Sequence, residues 1–409
     1  MAKDPSAKLS RQETSWILYD VANSAFSMII TTTIPIYFGN LVREAGMEAN
    51  VASGLWGAVT AAAVLILAVA SPILGAFADY QGMKKKLFVG FLAAGILGSI
   101  GLSLVSDWLV FLWIFVVARV GYAACNVFYD SMLVDVSPDE RMDMVSSLGY
   151  AWGYIGSCIP FVIGVVILVV GDFSNPAFQI SFAVTTVWWL VMTVPLLKNV
   201  RQTHYLENRK NKISGVFHRL GVTFQKIKKD KRLLFFILGY FCYIDGVYTI
   251  ISMATTYGKE VGISDTSMIF ALLLTQVVAF PCAILSGRLA GKFGPLKVVK
   301  VFIVMYMGIC LFGYQLDQAW EFWVLAVAVG ICQGGIQALS RSYFGKLIPK
   351  EESNEYFGFF DIFGKFADFM GPLIMSGCAL LLGSSTYGIL ALIVLFAAGF
   401  LLVRASEKA

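Results

Sequence analysis

The sequence predicts an all-α polytopic membrane protein that crosses the bilayer twelve times. Three observations predict it: the composition, the length of the apolar runs, and the lopsided placement of the basic residues. Of 409 residues, 58% are hydrophobic and 14% are charged, against about 25% charged in a typical soluble domain. Mean hydropathy is +0.75. A water-soluble globule of this size needs more polar surface than this chain has, and a disordered chain is excluded by the same figures. The 38 glycines agree, because small residues let membrane helices approach closely.

A hydrocarbon core of about 30 Å takes about 20 helical residues to cross. Apolar runs of sufficient length lie at 14–40, 52–78, 86–106, 108–136, 142–171, 177–197, 233–258, 266–291, 296–316, 320–348, 355–382 and 385–403. They are too long and continuous for barrel strands. With the spans laid out in this way, 26 Lys and Arg fall on the side that holds both termini. Arg43 and Lys259 fall on the other side, and Arg119, Arg341 and Lys365 lie inside spans. That bias orients both termini to the cytoplasm, in a multi-pass protein of the plasma (inner) membrane. Met1 to Ser15 is polar and lacks the apolar core of a signal peptide, so the first span is expected to stay as an anchor.

The longest polar stretch, 198–232, divides the chain into six-helix halves at 1–197 and 233–409. Its Lys226, Lys228, Lys229, Lys231 and Arg232 read as a positive-inside loop on anionic lipid, not as a nucleic-acid site. An internal repeat supports the division. Gly75-Ala-Phe-Ala-Asp79-Tyr-Gln-Gly82-Met-Lys84-Lys85-Lys86 follows the second span, and Gly287-Arg-Leu-Ala-Gly291-Lys-Phe-Gly294-Pro-Leu-Lys297 follows the eighth. Pro138 and Pro349 recur at nearly the same offset.

Several chemistries are disfavoured. All seven cysteines (Cys125, Cys158, Cys242, Cys282, Cys310, Cys332, Cys378) sit in apolar runs without CxxC spacing, so no disulfide framework or zinc site is expected. The two histidines, His204 and His218, share one basic loop. No phosphate-binding G-x-x-x-x-G-K-[ST] loop is present. ATP-driven transport, enzymatic activity and a resident cofactor are therefore not expected.

The string from Gly75 to Lys86 resembles the signature loop of the major facilitator superfamily. In that family the loop joins helices 2 and 3 on the cytoplasmic side, and its acid contacts the opposite half. The resemblance implies a gating role for Asp79, Lys84, Lys85 and Lys86. Gly291 replaces the acid in the second copy, so the gating contacts are expected to be asymmetric. Three further strings narrow the likeness: Trp16-Ile-Leu-Tyr19-Asp20-Val-Ala22-Asn23-Ser24-Ala-Phe26, Tyr243-Ile-Asp245-Gly246-Val-Tyr248-Thr249, and Gln333-Gly334-Gly335-Ile-Gln337-Ala338-Leu339-Ser340-Arg341-Ser342. Together they resemble the branch that holds the fungal vacuolar amino-acid effluxers of the autophagy-related group and their bacterial relatives. That likeness implies secondary transport by rocker-switch alternating access, with amino-acid efflux as the best-known role.

A charge at bilayer depth costs about 2.5–3.5 kcal/mol on insertion scales, so such residues face a cavity or a partner. Here they recur at helical spacing. The fourth span carries Arg119, Tyr122, Asn126 and Asp130; the first carries Asp20, Asn23, Ser27 and Thr31. The seventh carries Asp245, Tyr248, Ser252 and Thr255; the tenth Gln333, Gln337 and Arg341; the eleventh Asp361, Lys365 and Asp368. Spans 1, 4, 7 and 10 line the central cavity in the family, by resemblance. Substrate contacts are expected from Asn23, Arg119, Tyr122, Asn126, Asp245, Tyr248, Gln333, Gln337 and Lys365. Asp20 and Asp245 are the proton-coupling candidates. Asp130, Arg341 and Asp361, nearer the cytoplasmic end, join the gating set.

Blander readings stand beside these. Lys365 can be neutralised by Asp361 and Asp368 on its own face, Arg119 can pair with an acid on another helix, and Asp245 can be a hydrogen-bonded buried acid. Gly149-x-x-x-Gly153 and Gly330-x-x-x-Gly334 read as close-packing sites. A cavity holding Arg or Lys with Asp suits a zwitterion. It also suits a small peptide, an organic acid or a polar lipid headgroup. A lipid or drug translocator and a non-transporting nutrient sensor are the rival functions. The expected partners are a small-molecule substrate, membrane lipids and protons. The expected state is a monomer without nucleic acid.

Overall fold

The computed structural model describes residues 8–207, 213–260, 262–382 and 386–409. The first six long helices are α1 (Arg11–Glu44), α2 (Ala49–Ala78), α3 (Met83–Leu102), α4 (Trp108–Val136), α5 (Asp139–Val170) and α6 (Asn175–Asn199). The last six are α7 (Lys231–Glu260), α8 (Asp265–Phe293), α9 (Pro295–Gly313), α10 (Ala319–Leu347), α11 (Ser353–Leu382) and α12 (Thr386–Lys408). Among the described residues, eleven helices are long and apolar enough to span a bilayer. The twelfth, α11, is 30 residues long and carries Glu355, Asp361, Lys365 and Asp368 along its first half.

Local sequence sets the helix ends. Ser10 caps α1 by accepting the Glu13 N–H, and the Glu13 carboxylate accepts the Ser10 N–H in return. Near its middle α1 breaks at Thr32, whose hydroxyl donates back to the Met28 carbonyl at 2.6 Å. Interior prolines Pro72, Pro160, Pro195 and Pro281 sit in α2, α5, α6 and α8. Packing against neighbours lets membrane helices hold such residues.

Two six-helix repeats make up the fold. In the first, α1 packs on α5 and α6, and α3 on α4; in the second, α7 packs on α12 and α8 on α10. The repeats meet along two crossings, α5 with α8 and α2 with α11. The first glycine of each loop copy lies at one of them. A Cβ on Gly75 would stand 2.2 Å from the Asn354 carbonyl oxygen of α11, and one on Gly287 would stand 2.9 Å from the Ser147 Cβ of α5. The last glycine of each copy turns the chain into the next helix with positive φ, +71° at Gly82 and +90° at Gly294.

The connection between the repeats is more ordered than a polar loop. Leu206 pairs with the signature loop through Leu206 N–H to Asp79 O (2.9 Å) and Gln81 N–H to Leu206 O (3.3 Å). A linker helix then runs over Ile213–Lys229. The sequence reading treated 198–232 as a linker and did not assign this helix.

Candidate functional site

The polar contacts between the repeats gather at the end of the bundle that holds the termini and the linker. Arg341 of α10 is the first centre. Its guanidinium donates to Asp130 Oδ1 of α4 at 2.9 Å, to Asp20 Oδ2 of α1 at 3.2 Å, and to the hydroxyl (3.0 Å) and carbonyl (3.2 Å) of Ser146 on α5. Aromatic faces enclose it, with the Tyr150 ring centre 4.4 Å and the Trp16 ring centre 4.6 Å away. Arginine suits this place because its planar fork binds several oxygens and stacks on rings at once. Gly149 makes the room, since a Cβ there would fall 2.5 Å from Asp20 Oδ2 and 3.2 Å from the guanidinium.

Asp79 is the second centre. It lies at the end of α2 and is fully buried. Its carboxylate accepts the backbone N–H groups of Asn354 (2.8 Å) and Glu355 (3.2 Å) and the Asn354 side-chain amide (2.9 Å). An acid is therefore held at the positive N-terminus of α11. Arg219 of the linker helix closes the arrangement, 2.9 Å from Asp79 and 2.5 Å from Glu355. Burial pushes the Asp79 carboxyl up to about 7, against the lowering effect of Asn354, Arg219 and Lys84. Burial also works against the charge on Arg219, but Glu355 and Asp79 outweigh it and hold that guanidinium above its ordinary value.

The three lysines of the signature loop part company. Lys84 is buried and reaches Asp135 (2.5 Å), the Ser131 carbonyl (3.2 Å) and Ser353 of α11 (3.3 Å). Lys85 donates to the Val200 carbonyl at 3.0 Å, and Lys86 is exposed. Outer contacts complete the seal: Lys346 with Asp143 (2.6 Å), Lys350 with Asp139 (2.7 Å), and the Ser342 hydroxyl to Asp143 (2.7 Å). Asp361 accepts the Ser71 hydroxyl of α2 at 2.7 Å and pairs with Lys365 one turn on. The side chains of Asp368, the third member of that stripe, and of Thr255 lie outside what is described.

A second tier of polar residues lies farther from that end. At 1.5 Å rise per residue, Arg341 and Asp130 lie about 9 Å from the linker-side ends of their helices. On the same measure Asn23 and Lys365 lie at about 18 Å, Gln333 and Asp245 at about 21 Å, and Arg119 at about 25 Å. Asn23 donates to Asn126 at 3.1 Å, which joins α1 to α4. The Arg119 guanidinium carbon is 5.8 Å from the Tyr122 ring centre, and its buried Nε has no hydrogen-bond partner among the described residues. The Tyr122 ring itself packs against Phe26 and Trp189 in the aromatic core of the first repeat. Asp245 is 2% exposed, and Gly371 of α11 comes so close that a Cβ there would stand 2.8 Å from its Oδ1. Gln333 is buried with its amide 3.4 Å from Gln276, whereas Gln337 and Tyr248 are half-buried. Asp20, read as a coupling acid, belongs geometrically to the Arg341 centre.

A cavity of about 110 Å³ lies within the second repeat. Ile250, Met253, Leu272, Phe322 and Met375 make its walls almost wholly apolar, with Gln333 on its lining. The sequence reading missed this feature, and it also missed Ser146, Asp135, Asp143, Arg219 and Asn354 in the seal. Asp135 and Asp143 flank Pro138, so the repeat offset was a usable signal. Arg219 was hidden by reading its helix as loop.

Comparison with known proteins fixes the lineage. The family model described as "Vacuole effluxer Atg22 like" matches residues 51–139 and 134–407. An MFS-type transporter of Bacillus subtilis, YxiO, is 42% identical over 405 residues, spanning 97% of this chain and 95% of that one. Autophagy-related protein 22 of Saccharomyces cerevisiae is 24% identical over 346 residues, 71% of this chain and 66% of the yeast protein. In Yarrowia lipolytica the match covers 46% of the fungal chain at 24% identity, so the chain spans about half of that relative. Among solved structures, the human organic anion transporter MFSD10 superposes with a TM-score of 0.76 at 13% identity, over 96% of this chain and 99% of the other. FucP in its outward conformation gives 0.72 at 16% identity over 98% of both chains. These two share the fold. With twelve helices in two repeats and matching sequence along nearly its whole length, the chain is a multi-pass membrane transporter of the major facilitator superfamily and belongs to its Atg22-like family.

Proposed function

We propose that the chain is a secondary active transporter that moves a small zwitterionic solute, an amino acid or a close relative, across the plasma membrane. The carrying observation is a pair of opposite charges at similar depth in opposite repeats. Arg119 of α4 offers a buried Nε without a partner among the described residues, and Asp245 of α7 is a buried acid. A carboxylate meets the first and an ammonium the second, and both lie beyond the seal. Asn23, Asn126, Gln333, Gln337, Tyr248 and Lys365 lie in the same tier and supply polar contacts. The description of the family model supports efflux.

The excess of basic residues supports a cytoplasmic linker end. The state with that end sealed is then outward-facing, and the two repeats rock about the midplane tier to open it. Asp130 with Arg341, Asp79 with α11, Lys84 with Ser353, and Asp361 with Ser71 form the gate. Protons supply the coupling through Asp245 or Asp20. A binding screen by thermal shift over amino acids, dipeptides, organic acids and sugars tests the substrate class, followed by flux of the best hit in proteoliposomes with and without a pH gradient. Stabilisation by uncharged sugars alone refutes the zwitterion. Equal flux with and without the gradient refutes proton coupling.

One observation favours a second reading. The apolar walls of the cavity in the second repeat suit a lipid or drug-like molecule. Stabilisation by lysolipids but not by amino acids selects that reading.

A further inference from the structure

The linker helix, Ile213–Lys229, has one face buried on the bundle. Val216, Thr223 and Ile227 are 1%, 1% and 6% exposed, and Arg219 beside them reaches Asp79 and Glu355. At about 100° per residue, Phe217 and Phe224 fall together on one edge of the helix, with Lys228 one turn beyond Phe224. Both phenylalanines are more than half exposed, at 58% and 57%. Phe224 approaches Phe359 of α11 with ring centres 6.5 Å apart. The edge therefore runs beside a membrane-spanning helix. The helix carries Arg219, Lys226, Lys228 and Lys229 and no acid. Favourable placement at the negative helix C-terminus accounts for the last lysines. It does not account for two large apolar side chains left uncovered beside them. Exposed aromatics along one edge with lysines next to them match the chemistry of a helix lying in a membrane interface rich in anionic headgroups.

We propose that the Phe217–Phe224–Lys228 edge of the linker helix docks on anionic phospholipid, and that this docking holds Arg219 across Asp79 and Glu355. Anionic lipid then favours the sealed linker end. The lipid contact does not depend on which solute is carried. Only its effect on the gate rests on the alternating-access reading.

The full chain in nanodiscs of phosphatidylcholine alone, or of equal parts phosphatidylcholine and phosphatidylglycerol, provides the test. Hydrogen exchange of residues 216–229 is the readout. Anionic lipid is expected to slow it by about 5-fold, the increment that one lysine, Lys228, gives near such a surface. The surface variants Lys228→Gln, and Phe217→Ser with Phe224→Ser, are each expected to lose most of that slowing while keeping the wild-type rates in neutral lipid. Equal exchange in the two lipids overturns the proposal, and so does full slowing in both variants. Slowing by added RNA in neutral nanodiscs, without slowing by phosphatidylglycerol, assigns the basic surface to nucleic acid and overturns it as well. Flux is not needed for any of these outcomes, so a failed substrate assignment leaves the lipid test readable.

Discussion

Replacing Arg341 by alanine is expected to open the linker end of the bundle. The side chain makes four hydrogen bonds, and every one of them reaches the opposite repeat. Its removal leaves Asp20 and Asp130 facing each other without their cation. Breaking a buried ion pair from one side costs about 3–5 kcal/mol. The two carboxylates do not count equally. The Asp20 side chain is 8% exposed and Asp130 is 30% exposed, so water relieves part of the Asp130 penalty. The lower end, about 3 kcal/mol, is the better figure, and at about 1.4 kcal/mol per tenfold it shifts the sealed-to-open equilibrium by about a hundredfold. Hydrogen exchange in nanodiscs, followed at 139–147 and 353–361 on the two sides of the seal, reads that shift as faster exchange. Arg341→Lys is expected to recover only part of it, because an ammonium cannot bridge two carboxylates and stack between Trp16 and Tyr150 as a guanidinium does. Exchange within threefold of wild type in Arg341→Ala refutes the strut role.

Arg119→Gln is expected to weaken stabilisation by the best ligand at least tenfold while leaving the melting temperature of the free protein unchanged. A large drop in that melting temperature shows a structural role instead. Gly75→Ala is expected to loosen the α2–α11 crossing by about 1–3 kcal/mol, because the clashing neighbour is backbone, and exchange at 353–361 measures it. Gly291→Ala, which stands in the second copy where the first has Asp79 and has nothing within 4 Å, is the control and is expected to be silent. The seal should also depend on pH. Asp79 titrates at about 7 when buried and near its ordinary value when the gate opens to water, so between those values the sealed state binds more protons. Lowering pH below 7 therefore favours sealing, and raising it through 7 favours opening. Arg219, Glu355 and Lys84 are the charged neighbours. Exchange at 353–361, corrected for its intrinsic pH dependence, reports the change, and Asp79→Asn is expected to flatten it.

Apolar length and basic asymmetry were enough to read twelve helices, since both follow from the cost of placing polar groups in hydrocarbon. Stripes at helical spacing brought Asp20, Asp130 and Arg341 to attention for the same reason. Spacing along one helix gives no partner on another, so the joining of those three residues with Ser146 was not legible. Lys365 shows the opposite case. Its pairing with Asp361 was legible because both lie one turn apart on one helix. The linker helix was legible in principle, with Val216, Leu220, Thr223 and Ile227 at helical spacing, but hydropathy measures length of apolar sequence and passes over a short amphipathic segment. Tyr122 shares a stripe with Arg119, yet its ring turns into the core against Phe26 and Trp189. Spacing fixes a helix face to about a quarter turn, and a ring at the edge of that face can go either way.

The missing acid in the second loop copy has a structural counterpart. Both copies keep the glycine that permits a close crossing, Gly75 against α11 and Gly287 against α5. Only the first places a carboxylate on the exposed N–H groups of the helix it meets. At α5 that need is met locally, because Asp139 and Glu140 lie in its own first turn. Glu13 of α1 adds to it by pairing with Arg141 at 3.1 Å, but Glu13 belongs to the same repeat as α5. The α2–α11 crossing is therefore charged between repeats, whereas the acids of α5 are reached from the other repeat by Lys346 and Lys350 at the end of α10 and, among the described residues, not by α8. In the alternating-access reading, separation at this end takes the Asp79 carboxyl from the N–H groups of α11, while α5 keeps its own acids. The hydrogen bonds lost on opening fall mainly on the α2–α11 crossing, where Arg219 is also placed. A perturbation of Asp79 or Arg219 should then move the gate more than an equal perturbation of Glu13 or Arg141, which pair within one repeat.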